Sequence, residues 1–461
     1  MNKEITSTNQ KHTVKVNKGS GVLIQPMSPD YSYVLTAKHC IQEDKDNPRS
    51  AIMKNNVVLS FYDEVIPVLE VIHHQTKDIA ILIVEPRLDC ELMANSEELS
   101  VRDQVRLCGF PSDRSSQEVK YSSFIFNYEE TVGGRLILAP DTNGVVYSNI
   151  VGFSGGGLFT LGMQDKAILL CAIETKMEGN INKEYHGKVS AIPIREFKEI
   201  VEDPSKMYLG KVLEPLLPLH LSSFEHLLKF TFDVHRGWAD DDGLNLLQGC
   251  LRETATEKIK VNLSPHEILM KFKMLLTVHN RPENELYSRG LWVSLLELLT
   301  ISILIDKPET VDIAYVDAVL QSRRFIYLGV KGTWREYLTD ILQSGLEDLN
   351  HDGIVVAKTL SKSHQACFTK EFLHKAWKLK NIGRPLSDPK KIVNANKSLS
   401  NINSIVDLAA LHTECIEAKE ITYENHTDIT GFDEDMESKL LMLLAKEYGT
   451  YLTIKDVKDE E

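Results

Sequence analysis

A glycine-rich segment around one serine constrains this chain more than any other feature. Residues 151–157 read Val-Gly-Phe-Ser-Gly-Gly-Gly, so the hydroxyl of Ser154 lies among four glycines. Because glycine has no Cβ, it adopts positive φ angles and allows another molecule to approach the backbone closely. The segment therefore predicts a tight turn whose backbone N–H groups surround the group that the Ser154 oxygen attacks.

Two upstream segments supply a histidine and an aspartate that complement this serine. His39 ends the apolar run that begins at Val34, and Asp78 opens the apolar run of residues 79–84. A serine hydroxyl is a weak nucleophile at neutral pH, so an adjacent base must take its proton during attack. A base, an orienting acid and a nucleophile thus occur in the order His39, Asp78, Ser154.

These segments resemble the trypsin/chymotrypsin-like serine protease family, including its bacterial HtrA-like relatives. Residues 36–40 (Thr-Ala-Lys-His-Cys) resemble the histidine motif, residues 78–80 (Asp-Ile-Ala) the aspartate motif, and residues 152–156 (Gly-Phe-Ser-Gly-Gly) the serine motif. The order His, Asp, Ser is that of chymotrypsin-type enzymes rather than subtilisins or α/β-hydrolases. The resemblance covers roughly residues 12–201, less than half of the chain.

The resemblance implies a role for each of these side chains. His39 would act as the general base and then protonate the leaving amine. Asp78 would fix the tautomer of the imidazole and stabilise its charged form. The N–H groups of Gly152 and Ser154 would form the oxyanion hole. The implied substrate is a protein or peptide, and neither a cofactor nor a metal ion is needed.

Phe153 marks a departure from the family pattern. Trypsin-like zymogens usually carry an aspartate immediately before the nucleophile, where it pairs with a newly cut N-terminus. Phe153 occupies that position here, and only 38 residues precede His39. We therefore expect the catalytic loop to be ordered without activation by N-terminal cleavage.

The residues implied for substrate binding are Ser148, Glu174 and Thr175. Ser148 lies six positions before Ser154, where trypsin carries the acid that selects basic side chains. Residues 171–175 (Cys-Ala-Ile-Glu-Thr) resemble the strand that pairs with substrate. In that register the Thr175 hydroxyl lies near Asp78 and Glu174 points towards the pocket. Glu174 would then attract Lys or Arg at the cleavage site; the alternative is an exposed carboxylate on a strand.

The chain divides into a β-rich part and a helical part. Short apolar runs separated by Pro, Asn, Asp and Gly clusters predict many short strands in the first 200 residues. We expect an all-β, chymotrypsin-like double β-barrel in residues 1–203. Residues 204–219 hold three prolines and are the candidate linker. Residues 220–461 are expected to form a mainly α-helical regulatory or assembly domain.

Local signals in the second half favour helices. Ser264, followed by proline and then by Glu267, is typical of a helix start. Further helices are predicted over residues 291–305, 314–320, 334–349 and 436–448. The apolar run of residues 291–305 includes Glu297 and is too short to span a bilayer, so it predicts a buried helix.

Composition excludes several classes of function. A formal net charge of -14 argues against direct nucleic-acid binding, and the basic stretch of residues 375–391 is interpreted as a solvated face or loop. No apolar leader or membrane span is visible. Seven scattered cysteines, none of them before Cys40, favour a reduced, cytoplasmic protein. His364, Cys367 and His374 fall short of a zinc site, which requires four ligands.

The sequence therefore predicts an intracellular serine endopeptidase whose helical domain controls it through a regulatory protein partner. This arrangement resembles protease effectors of bacterial anti-phage systems. One alternative is a protease-like binding scaffold that has lost turnover. Another is a housekeeping quality-control protease, although HtrA-like enzymes usually carry β domains after the protease. The sequence leaves homo-oligomerisation open.

Overall fold

The structure is a computed structural model of the chain. It describes residues 9–44, 47, 49–53, 59–61, 64–87, 92–95, 97–112, 121–142, 150–161, 168–180, 183–234, 241–279, 281–363, 365–381, 398–424 and 434–453. The chain divides into two compact units, residues 1–219 and residues 220–461.

Antiparallel β-sheets dominate the first unit. Its strands are β1 Thr13–Val16, β2 Gly19–Ile24, β3 Ser32–Thr36, β4 Leu59–Phe61, β5 Glu64–Ile66, β6 Val68–His73, β7 Ala80–Val84, β8 Met93–Ala94, β9 Gln104–Gly109, β10 Ser122–Val132, β11 Arg135–Pro140, β12 Gly157–Thr160, β13 Leu169–Asn180, β14 Lys183–Pro193, β15 Met207–Tyr208 and β16 Lys211–Val212. The helical segments are the 3₁₀ turns Lys38–Ile41 and Ile194–Phe197 and the short helix α1, Lys198–Val201.

Two large sheets carry the fold of this unit. In the described residues, the first sheet has the strand order β5-β4-β1-β2-β3-β7-β6. The second has the order β12-β9-β10-β11-β14-β13-β8, and β12 also pairs with β13. That additional pairing closes six strands into a barrel. The β-barrel architecture predicted for the N-terminal domain is thereby confirmed.

Residues 80–84, which form strand β7, are all apolar because both faces of the strand are buried. Alternate side chains of a strand point to opposite faces, and both faces of β7 are buried. Ala80, Leu82 and Val84 pack inside the first sheet. Ile81 and Ile83 pack with residues of the second sheet, such as Phe159. The strand that follows Asp78 is therefore held from both sides.

Residues 204–219, predicted as a linker, contact the barrel core of the first unit. Leu213 and Leu216 are buried in the same cluster as Tyr31 and Tyr33. The backbone N–H of Glu214 donates to the Tyr31 hydroxyl (3.0 Å), and the Tyr33 hydroxyl donates to the Glu214 carbonyl (2.9 Å). These contacts attach the segment to the N-terminal unit.

The second unit is rich in helices. They are α2 Asp241–Thr254, α3 Pro265–Phe272, α4 Arg289–Asp306, α5 Ile313–Ser322, α6 Leu338–Leu342, α7 Lys370–Asn381, α8 Leu408–Cys415, α9 Glu420–Glu424 and α10 Glu434–Leu452, with a π-helical turn at Ala255–Lys260. Short 3₁₀ turns occupy Leu219–Leu221, Phe224–His226, Leu228–Phe230, Lys273–Leu275, Glu283–Tyr287, Trp334–Tyr337, Leu346–Asp348 and Glu417–Lys419. The helix-rich character predicted for this region is confirmed.

The start of α3 follows the predicted pattern. The Ser264 hydroxyl accepts the Glu267 N–H, and the Glu267 carboxylate accepts the Ser264 N–H, which forms a capping box. This arrangement satisfies two of the backbone donors that a helix leaves unpaired at its first turn. The predicted helix start is confirmed.

The sequence patterns missed a small sheet in the second unit. It comprises β17 Arg323–Tyr327, β18 Gly353–Lys358, β19 Cys367–Thr369 and β20 Ile402–Asp407, in the order β17-β18-β20-β19. Strands β17, β18 and β20 are parallel and β19 is antiparallel. Parallel strands are buried on both faces, so their short apolar runs cannot be distinguished from buried helix by periodicity.

The single helix predicted over residues 334–349 is wrong. The segment forms two 3₁₀ turns around the short helix α6. Gly345 interrupts it with a φ of +67°, in the left-handed region that ends helices.

Among the described residues, no helix is both long enough and apolar enough to cross a membrane.

A buried polar network joins several helices of the second unit. Glu297 of α4 accepts the backbone N–H of Phe232 (2.7 Å) and lies 3.3 Å from Nε2 of His412. His412 Nδ1 is 2.8 Å from the Tyr448 hydroxyl. Burial is the largest influence and raises the pKa of Glu297, but His412, the Lys358 charge and the Phe232 N–H together lower that pKa overall. The network also holds Phe232 at a φ of +52°, a conformation unfavourable for a bulky side chain.

Glu297→Ala should therefore destabilise the second unit strongly. The substitution leaves the buried His412 and the Phe232 N–H without their acceptor, and losing one partner of a buried pair costs about 3–5 kcal/mol. Calorimetric melting of the full chain measures this loss. Glu309→Ala, at an exposed position next to the same helix, is the matched control. Equal melting temperatures for the two variants would contradict the role of the network.

Candidate active site

His39 and Asp78 form a two-point hydrogen-bonded pair. His39 lies in the 3₁₀ turn after β3, and Asp78 lies in the loop before β7. One carboxylate oxygen of Asp78 is 2.9 Å from Nδ1 of His39, and the other accepts the His39 backbone N–H at 3.0 Å. The ring and the backbone of the histidine are thus fixed by one carboxylate. This geometry makes Nδ1 the donor and leaves Nε2 as the nitrogen able to accept a proton.

The two groups shift each other's pKa in opposite directions. Burial is the largest influence on His39 and lowers its pKa, but the hydrogen bonds and charges of Asp78 and Cys40 together outweigh it and raise that pKa above its ordinary value. Burial alone raises the pKa of Asp78, but the hydrogen bond and charge of His39 lower it overall. Each partner therefore favours the charged form of the other.

An ion cluster holds the loop that carries Asp78. The Lys77 ammonium contacts the carboxylates of Glu196 and Glu199, at 2.6 Å for Glu199. His74 Nε2 is 3.0 Å from the second oxygen of Glu199. The Lys38 ammonium donates to the His74 carbonyl at 3.1 Å. These contacts connect Lys77, which precedes Asp78, with Lys38, which precedes His39. They also attach the loop that carries Asp78 to the segment that follows β14.

The turn around Ser154 depends on glycine at two positions. Gly152 has a φ of +99° and Gly155 a φ of +86°, both in the region that favours glycine. A Cβ on Gly155 would clash with the Ser20 carbonyl and the Thr36 hydroxyl, and a Cβ on Gly152 would lie 2.6 Å from the Phe110 carbonyl. The turn predicted from the sequence is therefore required both by backbone conformation and by the close approach of neighbouring strands.

Some backbone N–H groups of this turn donate to a backbone carbonyl and others do not. The Phe153 N–H donates to the Ile150 carbonyl (2.9 Å), and the Gly155 N–H donates to the Glu174 carbonyl (2.8 Å). Among the described residues, the N–H groups of Gly152 and Ser154 have no backbone acceptor. These are the two amides that the sequence assigned to an oxyanion hole.

Two residues that the sequence analysis did not single out connect Ser154 to the first sheet. Ser20 donates its N–H to the Ser154 carbonyl (2.8 Å) and its hydroxyl to the Gly152 carbonyl (2.8 Å). The Cys40 thiol lies 3.1 Å from the same Ser154 carbonyl. Ser154 therefore lies beside the residue that follows His39. The signal for Ser20 was its position between Gly19 and Gly21, since glycine within a strand marks close approach of another backbone.

The residues predicted to bind substrate are placed differently from expectation. Glu174 and Thr175 are only 1% and 2% exposed. The Thr175 hydroxyl donates to the Ser190 carbonyl (3.2 Å), whereas Asp78 was the expected neighbour. The alternative of an exposed Glu174 is wrong, because the Gly155–Gly156 turn and β14 cover this part of β13. Ser148 lies outside the described residues.

Metal and disulfide chemistry find no support within the part of the chain that the structure describes. No group of three or more His, Cys, Asp or Glu side chains there could hold a metal ion. The described cysteines are free thiols. His364, one of the three residues weighed as zinc ligands, lies outside the described residues.

Ser20→Ala should loosen the Ser154 turn. The variant removes the donor to the Gly152 carbonyl and the acceptor of the Phe110 N–H (2.9 Å). Leaving these buried groups unpaired costs about 1–3 kcal/mol each. A reduced rate of Ser154 modification by a fluorophosphonate probe, with a lowered melting temperature, is the expected result. Exposed Ser100→Ala is the control; wild-type values in both variants would contradict the anchoring role.

Asp78→Asn should lower stability in a pH-dependent manner. The raised pKa of His39 gives stability that is complete below its ordinary value of 6.5 and is lost as pH rises through the raised value. The lowered pKa of Asp78 gives stability that is complete above 3.8 and is lost as pH falls through the lowered value. Chemical unfolding should therefore show the largest loss between pH 3.8 and 6.5 and a smaller loss at alkaline pH.

The control for this pH series is Asp30→Asn, at an exposed position in the same unit. A destabilisation by Asp78→Asn that stayed constant from acid to alkaline pH would show that the two groups do not interact as an ion pair.

Two family models match different parts of the chain. Residues 19–164 match the family model of the trypsin-like peptidase domain. Residues 191–417 match that of C-terminal domain 4 of the ABC-three component (ABC-3C) systems. No curated protein matches the chain.

Several solved structures are similar to the chain. The inactive form of the Rv3671c protease of M. tuberculosis is 17% identical, with a TM-score of 0.31 over 44% of this chain and 92% of that chain. Its active form is also 17% identical, with a TM-score of 0.32 over 46% and 87%. Kallikrein-related peptidase 10 in complex with Zn²⁺ is 14% identical, with a TM-score of 0.31 over 42% and 94%. On the family-model matches, the chain contains a trypsin-like peptidase domain followed by a C-terminal domain 4 of the ABC-3C systems.

Proposed function

We propose that the chain is a serine endopeptidase with Ser154 as nucleophile, His39 as general base and Asp78 as the orienting acid. The observation that carries this proposal is the two-point hydrogen bonding of His39 by Asp78, at 2.9 Å and 3.0 Å. It orients the imidazole with Nδ1 as the donor to Asp78, so that Nε2 is the nitrogen assigned to accept the proton. The contact between Cys40 and the Ser154 carbonyl supports the approach of the nucleophile to that base.

The proposed reaction assigns one task to each of these groups. His39 takes the hydroxyl proton of Ser154 as the oxygen attacks the peptide carbonyl, and later returns it to the leaving amine. The Gly152 and Ser154 amides stabilise the oxyanion, where removal of one donor typically costs about 3 kcal/mol. Water then hydrolyses the acyl–enzyme by the same acid–base steps.

Burial of Phe153 replaces the usual zymogen ion pair in this proposal. Its side chain is fully buried in the core of the barrel formed by the second sheet, with its ring 5.7 Å from that of Phe124. Burying an aromatic ring stabilises a loop without any charged N-terminus to pair with. The Ser154 turn is thus ordered by apolar packing and by Ser20, and needs no cleavage event.

The second half of the chain supports a regulated role within a multi-component system. A match to a domain of three-component systems implies partner proteins. We propose that the peptidase is the proteolytic effector of an ABC-3C anti-phage defence system in the cytoplasm, controlled by a partner that binds the C-terminal domain. This match favours defence over general protein quality control.

Ser154→Ala tests the enzyme proposal. Wild-type protein, alone and together with the products of neighbouring genes, should be labelled by a fluorophosphonate probe and should cleave casein. The variant should lose both activities and also phage protection, because the acyl-accepting oxygen is gone. The exposed Ser100→Ala is the control.

Two results would contradict the proposal. Labelling that persists in the Ser154→Ala variant would place the nucleophile elsewhere. Phage protection that survives the same substitution would support a binding scaffold without turnover.

A further inference from the structure

A buried carboxyl group lies at the proposed active site without a role in the mechanism. Glu174 is 1% exposed, and its Oε2 atom has no hydrogen-bond partner among the described residues. Unpaired buried carboxylates are costly, and each one in a native structure requires an explanation. The low exposure also argues against Glu174 as a pocket wall that attracts basic substrate side chains.

The backbone fixes Glu174 against the Ser154 turn. Its carbonyl accepts the Gly155 N–H (2.8 Å), and its N–H donates to the Gly156 carbonyl (2.9 Å). The side chain of Ser154 lies within hydrogen-bonding reach of the Glu174 carboxyl. The carboxyl is therefore a neighbour of the nucleophile that the surrounding sheet holds in place.

The charged groups that face Glu174 come from both sides of the proposed site. His39 attracts the carboxylate form and Asp78 repels it. The residues that pair with Glu174 on the other elements, Gly156 and Ala191, carry no charge. Burial is the largest influence and raises the pKa of Glu174 to about 8, against the opposing effects of His39 and Ser154. The group is therefore mostly neutral at pH 7.

We propose that Glu174 is a positioning residue whose protonation state decides which way the Ser154 hydroxyl points. The neutral carboxyl donates its hydrogen to the Ser154 oxygen and leaves the serine hydrogen free to point at His39. When Glu174 releases its proton to solvent, the carboxylate accepts the Ser154 hydroxyl hydrogen and competes with His39 for it. The site would then be active while Glu174 is neutral and silenced as it ionises. This role rests on the proposed function of Ser154.

The pH dependence of Ser154 labelling tests the proposal. Between about pH 8 and pH 9.5, the rate of fluorophosphonate labelling of the wild-type chain should fall by about tenfold per pH unit relative to the rate of Glu174→Gln. Deprotonation of His39, whose pKa is raised, affects both proteins alike and cancels in this ratio. Glu174→Gln keeps the shape and the hydrogen-bond donor but cannot ionise, so it should lack this fall. Glu178→Gln, the same substitution on the same strand at a less buried position, should keep the wild-type profile.

The pH dependence of stability provides a readout that does not need activity. A carboxyl with a raised pKa binds more protons in the folded state than in the unfolded state between its ordinary and raised values. Stability therefore falls as pH rises through that window in the wild type. Glu174→Gln should be more stable than the wild type near pH 8 and should differ little from it near pH 4.

The outcomes separate this inference from the proposed function. No labelling of Ser154 at any pH overturns the proposed function and this role with it. A ratio of wild-type to Glu174→Gln labelling rates that stays constant between about pH 8 and pH 9.5 overturns the role of Glu174 alone. Where Glu174→Gln does not fold, Glu174→Met, which also cannot ionise, replaces it in the ratio. Equal stability of the variant and the wild type at all pH values also overturns the role of Glu174.

Discussion

The backbone of β2 and the turn that carries Ser154 approach each other closely, and the rest of the first unit is arranged around this contact. Ser20 contributes both its N–H and its hydroxyl to carbonyls of that turn. The contact requires that Gly155 carry no Cβ, because any side chain there would clash with the Ser20 carbonyl. His39 follows β3 and Asp78 precedes β7 of the first sheet, whereas Ser154 precedes β12 of the second sheet. How close Ser154 lies to the other two residues therefore depends on this approach.

Apolar burial and a few charged pairs both stabilise the candidate site, in different ways. The strands on both sides of the contact are buried, and β7 is packed on both faces, which gives the loop before it a firm base. The charged pairs near the site lie outside the strands: Asp78 with His39, and Lys77 with Glu196 and Glu199. Burial supplies the non-directional stability, and the hydrogen-bonded charges supply the direction of each side chain. Buried Phe153 stabilises the Ser154 turn by apolar packing, in addition to the hydrogen bonds from Ser20.

Predictions from sequence succeeded where the local signal was strong. The Ser264 capping box, the buried helix around Glu297 and the β character of the first half all follow from residue order alone. The small sheet of the second unit was missed, because its strands are short and buried on both faces. The segment of residues 334–349 was predicted as one helix, because its apolar pattern does not indicate the interruption at Gly345.

The sequence by itself determined which residue types form the candidate site, their order along the chain, and the glycines that its turn needs. Those properties are local, since they depend on the chemistry of single residues and the conformations open to them. Only the tertiary structure decided that Ser20 and Cys40 contact the Ser154 carbonyl and that Glu174 is buried beside it. The contacts of Ser20 and Cys40 join residues more than a hundred positions apart in the sequence, and the burial of Glu174 depends on which elements pack over its strand. Neither property can be read from the order of residues along the chain.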